Sequence, residues 1–338
     1  MKITSYRNSM LDSWTELWWN LYGDKPYVMR PDGFQATNTA RIGPQYLGEY
    51  LLRGLGQETG QWFGRVLPES IFVACDGSKV QGVLITSVNY SNVTGNILSA
   101  FAERNQRGLQ TTHALLKTAL SYFRELGLRE AITPTSSLEV ESPIYLSLLE
   151  EGFTWHGNWE QGGDMPEDMV IRAYPGYLVF MGGSLEDFEL KPEIKQAIAC
   201  LHAQGVDFEV LSVDQLGERR RADTGQPPDE LNPQGSIPSS AAVVDGSLVG
   251  WIGHIGVAQE DSGMAARACG MHVIPDYRGR SIGKVLYHLG IQAMVRRGAE
   301  YGYECAGLCS PSRLILHSVG YRYWYIGFMP MTKSLSGY

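Results

Sequence analysis

The sequence predicts an α/β protein built from two tandem copies of one domain. Three landmarks recur in the same order: an Asp-Gly turn between apolar strands, an Arg-Gly pair before an apolar helix, and a Ser-Pro pair ahead of a Gly-aromatic pair. Their copies lie 169, 171 and 168 positions apart, respectively: Asp76 and Asp245, Arg107 and Arg278, Ser142 and Ser310. Because three landmarks in one order at nearly one spacing are hard to obtain by chance, we interpret the chain as an internal duplication.

Each copy repeats one order of elements. Residues 71–80 predict a β-hairpin because an Asp-Gly pair favours a tight turn between strands, and residues 241–249 repeat this pattern. A strand and a Gly-containing turn follow, and then an apolar helix is predicted over 114–120 in the first copy and 285–289 in the second. A further strand, a second helix and a closing aromatic strand complete each copy.

The junction between the copies is predicted near Gly183. Residues 177–181 resemble a last strand of the first copy, residues 192–204 have helical spacing, and residues 206–211 resemble the first strand of the second copy. The expected organisation is an N-terminal domain, a connecting helix and a C-terminal domain: 1–183, 184–205 and 206–338.

The composition is that of a globular protein, with 43% hydrophobic and 19% charged residues. No window reaches the roughly 18 apolar residues of a membrane span, and residues 1–22 lack the pattern of a secretion signal. We therefore expect a cytoplasmic protein without a membrane partner. A formal charge of −8 argues against a nucleic-acid partner, which would require a basic face, and is compatible with a cationic small molecule.

The five cysteines do not suggest a disulfide framework, since they are odd in number and scattered. Cys305 and Cys309 are four positions apart, but no further cysteine or histidine stands at zinc-ligand spacing. We therefore expect no metal.

Residues 273–284 contain the most specific motif. An apolar strand ends at Val273, a turn follows, and a helix begins with its backbone N–H groups free, which is an arrangement that binds phosphate groups. Residues 278–283, Arg-Gly-Arg-Ser-Ile-Gly, resemble the (Gln/Arg)-x-x-Gly-x-(Gly/Ala) signature of the GNAT N-acetyltransferase superfamily. Ser281 occupies the position where the first Gly of that signature is usual.

The resemblance implies a fold and a coenzyme. Each copy would be a GNAT domain, a mixed, mostly antiparallel central sheet flanked by helices, and the turn would hold the pyrophosphate of acetyl-CoA. The corresponding turn of the first copy has Gln110 and Thr112 in place of the two later motif positions, so we expect that copy to be degenerate for coenzyme binding.

The resemblance also implies the coenzyme contacts. A backbone N–H near Val273 would polarise the acetyl carbonyl. The expected coenzyme-binding residues are Val273, Ile274, Arg278, Gly279, Arg280, Ser281, Ile282, Gly283 and Lys284.

The usual proton-transfer residues of the family are missing from this sequence. Leu316 and Leu148 stand where a Tyr commonly protonates the departing thiolate, and Arg267 stands where some members have a Glu base. The candidate catalytic residues, each of which also has a structural interpretation, are Glu304, His254 and His272.

The function predicted is acetyl-CoA-dependent acetylation of a primary amine on a small cationic molecule. The tandem arrangement, the length and the Trp/Tyr-rich N-terminal region are similar to bacterial self-resistance acetyltransferases of the zwittermicin A and paenilamicin type, which implies an amine-bearing antibiotic as acceptor. Three alternatives remain: a mycothiol-synthase-like enzyme, a polyamine acetyltransferase, or a non-catalytic acyl-CoA-binding protein. We expect a monomer or a homodimer.

Overall fold

The chain forms two compact units, and each consists of more than one segment of the sequence. The first contains Met1–Val179, Gly307–Cys309 and Tyr325–Tyr338, and the second contains Phe180–Ala306 and Ser310–Trp324. The expected junction at Gly183 lies just inside the second unit. The computed structural model describes the following residues: 1–23, 27–30, 33–36, 66–133, 139, 141–155, 177–224, 237–260, 263–307, 310–328 and 331–335.

Residues up to 155 form eight described strands and three α-helices. In chain order they are β1 (Lys2–Ser5), α1 (Leu11–Tyr22), β2 (Tyr27–Arg30), β3 (Gly33–Ala36), β4 (Ile71–Asp76), β5 (Lys79–Asn89), β6 (Thr94–Ala102), α2 (Gln106–Glu125), β7 (Glu130–Ile132), α3 (Pro143–Glu150) and β8 (Thr154–Trp155).

The described residues from 177 onward form eight more strands and four α-helices. They are β9 (Tyr177–Ser184), α4 (Pro192–His202), β10 (Val206–Leu211), α5 (Val213–Thr224), β11 (Ser239–Val244), β12 (Ser247–Glu260), β13 (Gly263–Val273), α6 (Ile282–Val295), β14 (Tyr301–Gly307), α7 (Ser312–Ser318), β15 (Arg322–Phe328) and β16 (Met331–Ser334).

The sheet of the first unit has the order β1-β4-β5-β6-β7-β16-β8. Neighbouring strands are antiparallel except β6 and β7, which are parallel. The predicted Asp-Gly hairpin joins β4 and β5, where Gly77 has a φ of +61°. Strand β16 lies between β7 and β8, so a segment almost 200 residues later in sequence completes this sheet.

Helices cover both faces of the first sheet, because successive residues of a strand point to opposite faces. On one face the ring of Phe101 contacts the rings of Trp14 and Tyr22 of α1, with centroids 6.5 and 6.0 Å away. On the other face Ala100 belongs to a core that includes Leu115 of α2 and many residues of α3 and the strands.

The sheet of the second unit has the order β10-β11-β12-β13-β14-β9-β15. Strands β10 to β13 are successively antiparallel, whereas β13 and β14 are parallel. The strand predicted over 177–181 is present as β9, but it pairs in this sheet rather than closing the sheet of the first copy. The strand predicted over 206–211 is β10, which pairs with β11.

The second sheet is also covered on both faces. Trp251 points to the side of α5, where it packs with Leu216. Its neighbour Ile252 points to the side of α6, since a Cβ added to Gly290 of α6 would lie 2.8 Å from the Ile252 side chain. The predicted fold class, α/β with mixed and mostly antiparallel sheets flanked by helices, is therefore confirmed.

Candidate functional site

The turn that joins β13 to α6 is held by backbone and arginine contacts. The Ile274 N–H donates to the Val249 oxygen over 3.0 Å, which anchors the end of β13 to β12. Arg278 Nε donates to the Val273 oxygen over 3.0 Å. Arg280 donates to the Asp276 oxygen over 3.1 Å, and its guanidinium lies 5.0 Å from the centre of a tyrosine ring in the same turn.

Helix α6 begins with an uncapped first turn. Ser281 stands at the N-cap position with a φ of +68°, and its side chain makes no capping bond. The first i→i−4 bond runs from the Val285 N–H to the Ser281 oxygen over 3.0 Å, so the preceding N–H groups have no acceptor within the helix. These groups and the helix dipole favour an anion, and Arg278, Arg280 and Lys284 add positive charge. The residues present thus fit a pyrophosphate group.

Gly283 lies in the first turn of α6 and faces a narrow space. A Cβ at this position would lie 3.4 Å from both Met271 Sδ and Ile315 Cδ1, and 3.5 Å from Val273 Cγ2. A methyl group there would only touch its neighbours, whereas a branched side chain would fill the space between α6, β13 and α7.

Strands β13 and β14 separate beside this turn. Their parallel register joins Ala265 to Tyr301 and Ala266 to Gly302, while β13 continues to Val273. Alternate residues of a strand direct their N–H groups to opposite edges. Since Ile274 donates to β12, the N–H of Val273 is directed to the β14 edge, where the two strands have diverged. A carbonyl placed in this gap would meet that donor.

In the first unit, the segment equivalent to the turn between β13 and α6 is helical and is hydrogen-bonded within its own chain. Helix α2 already begins at Gln106, so Arg107 and Gly108, which correspond to the turn residues Arg278 and Gly279, are helical. The Asn105 side chain accepts the Gly108 N–H over 2.9 Å. A Cβ on Gly108 would lie only 1.7 Å from the Glu103 oxygen, which shows how tightly this segment folds onto the helix start.

Glu304 spans the gap between β13 and β14. Its Oε1 accepts the Cys305 N–H over 2.9 Å, and its carboxylate also accepts the Ala268 N–H of β13. Its Oε2 is buried and finds no hydrogen-bond partner among the described residues. Burial raises the pKa of Glu304 to about 7, although the two N–H donors and Arg267 oppose this rise. The side chain therefore exchanges a proton near neutral pH.

His272 lies on the opposite side of the sheet from α6. Its ring stacks on Trp251 with the centroids 4.5 Å apart, and Arg220 of α5 lies over the same indole at 5.4 Å. Burial, followed by the charges of Arg278 and Arg220, lowers the pKa of His272. The imidazole is therefore neutral at pH 7 and can accept a proton.

The remaining predicted residues fall into three groups. His254 lies on β12 opposite Cys269, but its side chain is outside the described part of the structure. Ile282 is buried and packs against Gly250, so only its backbone is available to a ligand. The other residues expected to bind the coenzyme lie together in the turn and the first turn of α6.

Two buried tyrosines near Glu304 were not among the sequence candidates. Tyr321 packs against Gly302, where a Cβ would lie 1.9 Å from the tyrosine hydroxyl oxygen, and its ring contacts that of Tyr287 edge-on at 6.4 Å. Burial and the charge of Glu304 raise the pKa of Tyr321. The Gly320-Tyr321 pair was a visible landmark in sequence, but no pattern indicated that its ring reaches β14.

The described residues contain neither a candidate metal site nor a helix that could span a membrane. They include no group of three or more His, Cys, Asp or Glu side chains placed to hold a metal ion. None of the described helices combines the length and apolarity that crossing a membrane would require.

The second unit combines two parallel strands that diverge, β13 and β14, with a helix whose first N–H groups have no acceptor within the helix. Residues 208–306 match the model of the acetyltransferase (GNAT) family, and this segment contains β13, the turn, α6 and Glu304. This segment is therefore similar in sequence to the GNAT acetyltransferases. No curated protein is significantly similar to this sequence.

Several solved structures are similar over nearly the whole chain. A GCN5-related N-acetyltransferase from Sphaerobacter thermophilus is 13% identical, with a TM-score of 0.54 over 99% of this chain and 95% of its own. The glucosamine N-acetyltransferase region of a fungal multi-domain β-N-acetylglucosaminidase is 16% identical, with a TM-score of 0.51 over 98% of this chain. This chain spans 38% of the length of the fungal protein. At these identities the likeness shows a shared fold.

A tandem GNAT protein from the clavulanic acid biosynthesis pathway is 12% identical. Its TM-score is 0.49, with 100% of this chain and 99% of its own covered.

Proposed function

We propose that the protein is an acetyl-CoA-dependent N-acetyltransferase whose second unit carries the reaction. The observation that supports this most strongly is that β13 diverges from β14 and leads directly into the helix start of α6, whose first N–H groups have no acceptor within the helix. A thioester in the gap and a pyrophosphate at the helix start would occupy the two ends of one extended ligand. Acetyl-CoA supplies an activated acetyl group when it is bound there.

The chain's own groups suffice for the remaining chemistry. The Val273 N–H would stabilise the oxyanion that forms when an amine attacks the acetyl carbonyl. Attack forms the C–N bond, and the tetrahedral intermediate then loses the thiolate and one amine proton. Among the described residues of the second unit, His272 has a lowered pKa and Glu304 a raised one, which makes both candidates for proton transfer at neutral pH.

The first unit acts in this proposal as a scaffold without coenzyme. The support comes from α2, whose N-terminal N–H groups are partly satisfied by Asn105 and whose turn residues are already helical. An anion would have to displace these contacts before it could bind there.

The proposed acceptor is a primary amine of a small cationic molecule, such as an amine-bearing antibiotic that the producing cell must inactivate. The formal charge of −8 favours cationic over anionic acceptors. Because one of the similar structures is described as a glucosamine N-acetyltransferase region, amino sugars belong among the acceptors to be tried. We propose a cytoplasmic monomer or homodimer.

The test is release of free thiol from acetyl-CoA in the presence of candidate acceptors. The panel would contain amine-bearing peptide antibiotics, polyamines and glucosamine, and mass spectrometry of the product would locate the acetyl group. We expect turnover with at least one cationic amine. Tight binding of acetyl-CoA without turnover on any amine would instead support the acyl-CoA-binding alternative, which the leucine at position 316 makes a specific competitor.

A further inference from the structure

Pairing between β13 and β14 ends just before Glu304. The parallel register joins Ala265 to Tyr301 and Ala266 to Gly302, and within the described residues these are the pairs that the two strands form. Both strands nevertheless continue for at least five residues beyond the second pair. The gap between the strands therefore begins directly after Ala266 and Gly302.

The Glu304 carboxylate lies between the two strands where the next pair would form. If the parallel register continued, Glu304 would stand opposite Ala268 of β13. Its Oε1 accepts the Cys305 N–H of its own strand over 2.9 Å, and the Ala268 N–H also donates to the carboxylate. One side chain thus takes a backbone donor from each strand, at the point where backbone-to-backbone bonds would otherwise continue the sheet.

Tyr321 covers β14 beside this carboxylate. A Cβ on Gly302 would lie 1.9 Å from the Tyr321 hydroxyl oxygen, so the tyrosine packs on the face of the strand that residues 302 and 304 share. The Tyr321 ring in turn contacts the Tyr287 ring of α6 edge-on, with the centroids 6.4 Å apart. The space over the last paired residue of β14 is therefore filled, which restricts movement of the Glu304 side chain in that direction.

We propose that Glu304 is a positioning residue that holds β13 and β14 apart and so keeps open the gap that the thioester arm of acetyl-CoA would enter. This inference rests on the proposed function, because an acyl-coenzyme A donor is what would place that arm in the gap. The role requires no contact between Glu304 and the acetyl group. It is additional to any proton exchange, since the carboxyl group keeps an accepting oxygen in either protonation state.

Removing the side chain should let the two strands pair further. In Glu304→Ala the N–H of Ala268, a buried residue, would lose its acceptor, and an unpaired buried N–H is costly. The Glu300 N–H donates to the Met264 oxygen, and continuing this parallel pattern makes the Gly302 oxygen the next acceptor for Ala268. That bond would narrow the gap. Glu304→Gln instead keeps an amide oxygen, whose two lone pairs can accept both N–H groups.

Two ligands distinguish the gap from the helix start. Coenzyme A has the thiol-bearing arm, whereas 3′-phosphoadenosine 5′-diphosphate ends at the pyrophosphate. In calorimetric titrations Glu304→Ala should weaken binding of coenzyme A at least about tenfold and leave binding of the nucleotide within about twofold. Glu304→Gln should bind both ligands within about threefold of the unaltered protein.

A similar loss for both ligands in Glu304→Ala would overturn the inference, because it would indicate general damage to the unit. Unchanged binding of coenzyme A in this variant would overturn it as well. Glu186→Ala is the matched control, since Glu186 is an exposed glutamate of the same unit outside the gap, and it should bind both ligands as the unaltered protein does. Circular dichroism of each variant checks that the fold is retained.

Hydrogen exchange tests the position of the carboxylate without a ligand. The Ala268 and Cys305 N–H groups should exchange slowly in the unaltered protein, although the pairing of β13 with β14 has ended before them. Rapid exchange of the Ala268 N–H would overturn the inference, even if Glu304→Ala failed to fold. If the unaltered protein binds no acetyl-CoA, the proposed function fails, whereas exchange at Ala268 still decides whether Glu304 joins the two strands.

Discussion

The side chain of Asn105 accepts the backbone N–H of Gly108 over 2.9 Å, and this bond marks the chief difference between the two copies. In the first unit it satisfies a group at the start of α2 that a phosphate would otherwise bind. In the second unit Ser281 makes no such bond, and the corresponding helix start is open. The start of α2 is thus stabilised by a bond within the protein, whereas the start of α6 is available to a ligand.

A matched pair of substitutions tests which copy binds the coenzyme. Gly283 and Thr112 occupy equivalent positions, 171 apart. Gly283→Val should weaken acetyl-CoA binding at least about tenfold, since the branched side chain fills the space beside Val273, Met271 and Ile315. Thr112→Val should leave binding unchanged and lower the free energy of unfolding by about 1 kcal/mol, because it removes the bond from Thr112 Oγ1 to Gly108. Isothermal titration calorimetry gives both affinities, and similar losses in the two variants would contradict the assignment of the coenzyme to the second unit.

Ser281 carries backbone strain that a glycine would relieve. Its φ of +68° is costly for any residue with a Cβ, which explains why the family signature has Gly at this position. Ser281→Gly should raise the free energy of unfolding by about 1 kcal/mol while coenzyme binding is retained. Denaturant unfolding measures the gain. Arg280→Gly, at a neighbouring residue that is not among those with positive φ, should give no such gain.

The stability of the protein should depend on pH through Glu304. Its pKa is about 7 in the folded chain against 4.5 normally, so the folded state binds the proton more tightly than the unfolded state. The resulting stability is fully present below pH 4.5 and is lost as the pH rises through 7. Relative to Glu304→Gln, the unaltered protein should therefore lose melting temperature over this interval, as differential scanning fluorimetry can record. A constant difference between the two proteins would show that the carboxyl group titrates normally.

His288 should produce the opposite dependence. It is fully buried on α6, with Nε2 3.1 Å from Ser318 Oγ, and burial, aided by the charges of Lys191 and Lys284 and opposed by that of Glu193, lowers its pKa from 6.5 to about 4. The unfolded chain then binds more protons between pH 4 and 6.5, so stability falls as the pH falls through that interval. His288→Gln should remove this part of the decline in melting temperature, and an unchanged decline in that variant would contradict the assignment to His288.

The duplication and the order of elements could be predicted because they rest on local patterns. Asp76-Gly77 and Asp245-Gly246 both form hairpin turns with Gly φ values of +61° and +79°. Residues 177–181 were correctly predicted as a strand. The sequence pattern of a strand does not specify which sheet the strand joins, and β9 lies between β14 and β15 in the second sheet. Strand β16 is only four residues long and Met331 is its single apolar residue, so it carries too weak a pattern to be recognised.

Only part of the candidate site could be predicted, because a sequence motif contains only residues that are close together in the sequence. The turn residues 278–284 are contiguous, so one motif contains them. The environment of Glu304 depends on contacts with Ala268, Arg267 and Tyr321 from other elements, and neither its protonation nor its face of the sheet follows from the run Tyr303-Glu304-Cys305. His272 is similar, because its lowered pKa arises first from burial and then from the charges of Arg278 and Arg220, and Arg220 belongs to a different element, α5.

The position of β16 between β7 and β8 also affects synthesis of the protein on the ribosome. Strands β1 to β8 emerge during the first half of translation, yet the hydrogen bonds of Ala131 and Ile132 to Lys333 and Thr332 cannot form until nearly 200 more residues have been added. Until then β7 and β8 present unpaired edges, which are sites for non-native pairing. The sheet of the first copy would therefore remain incomplete until β16 has been synthesised. Fragments cut at the junction between the copies should be prone to aggregation.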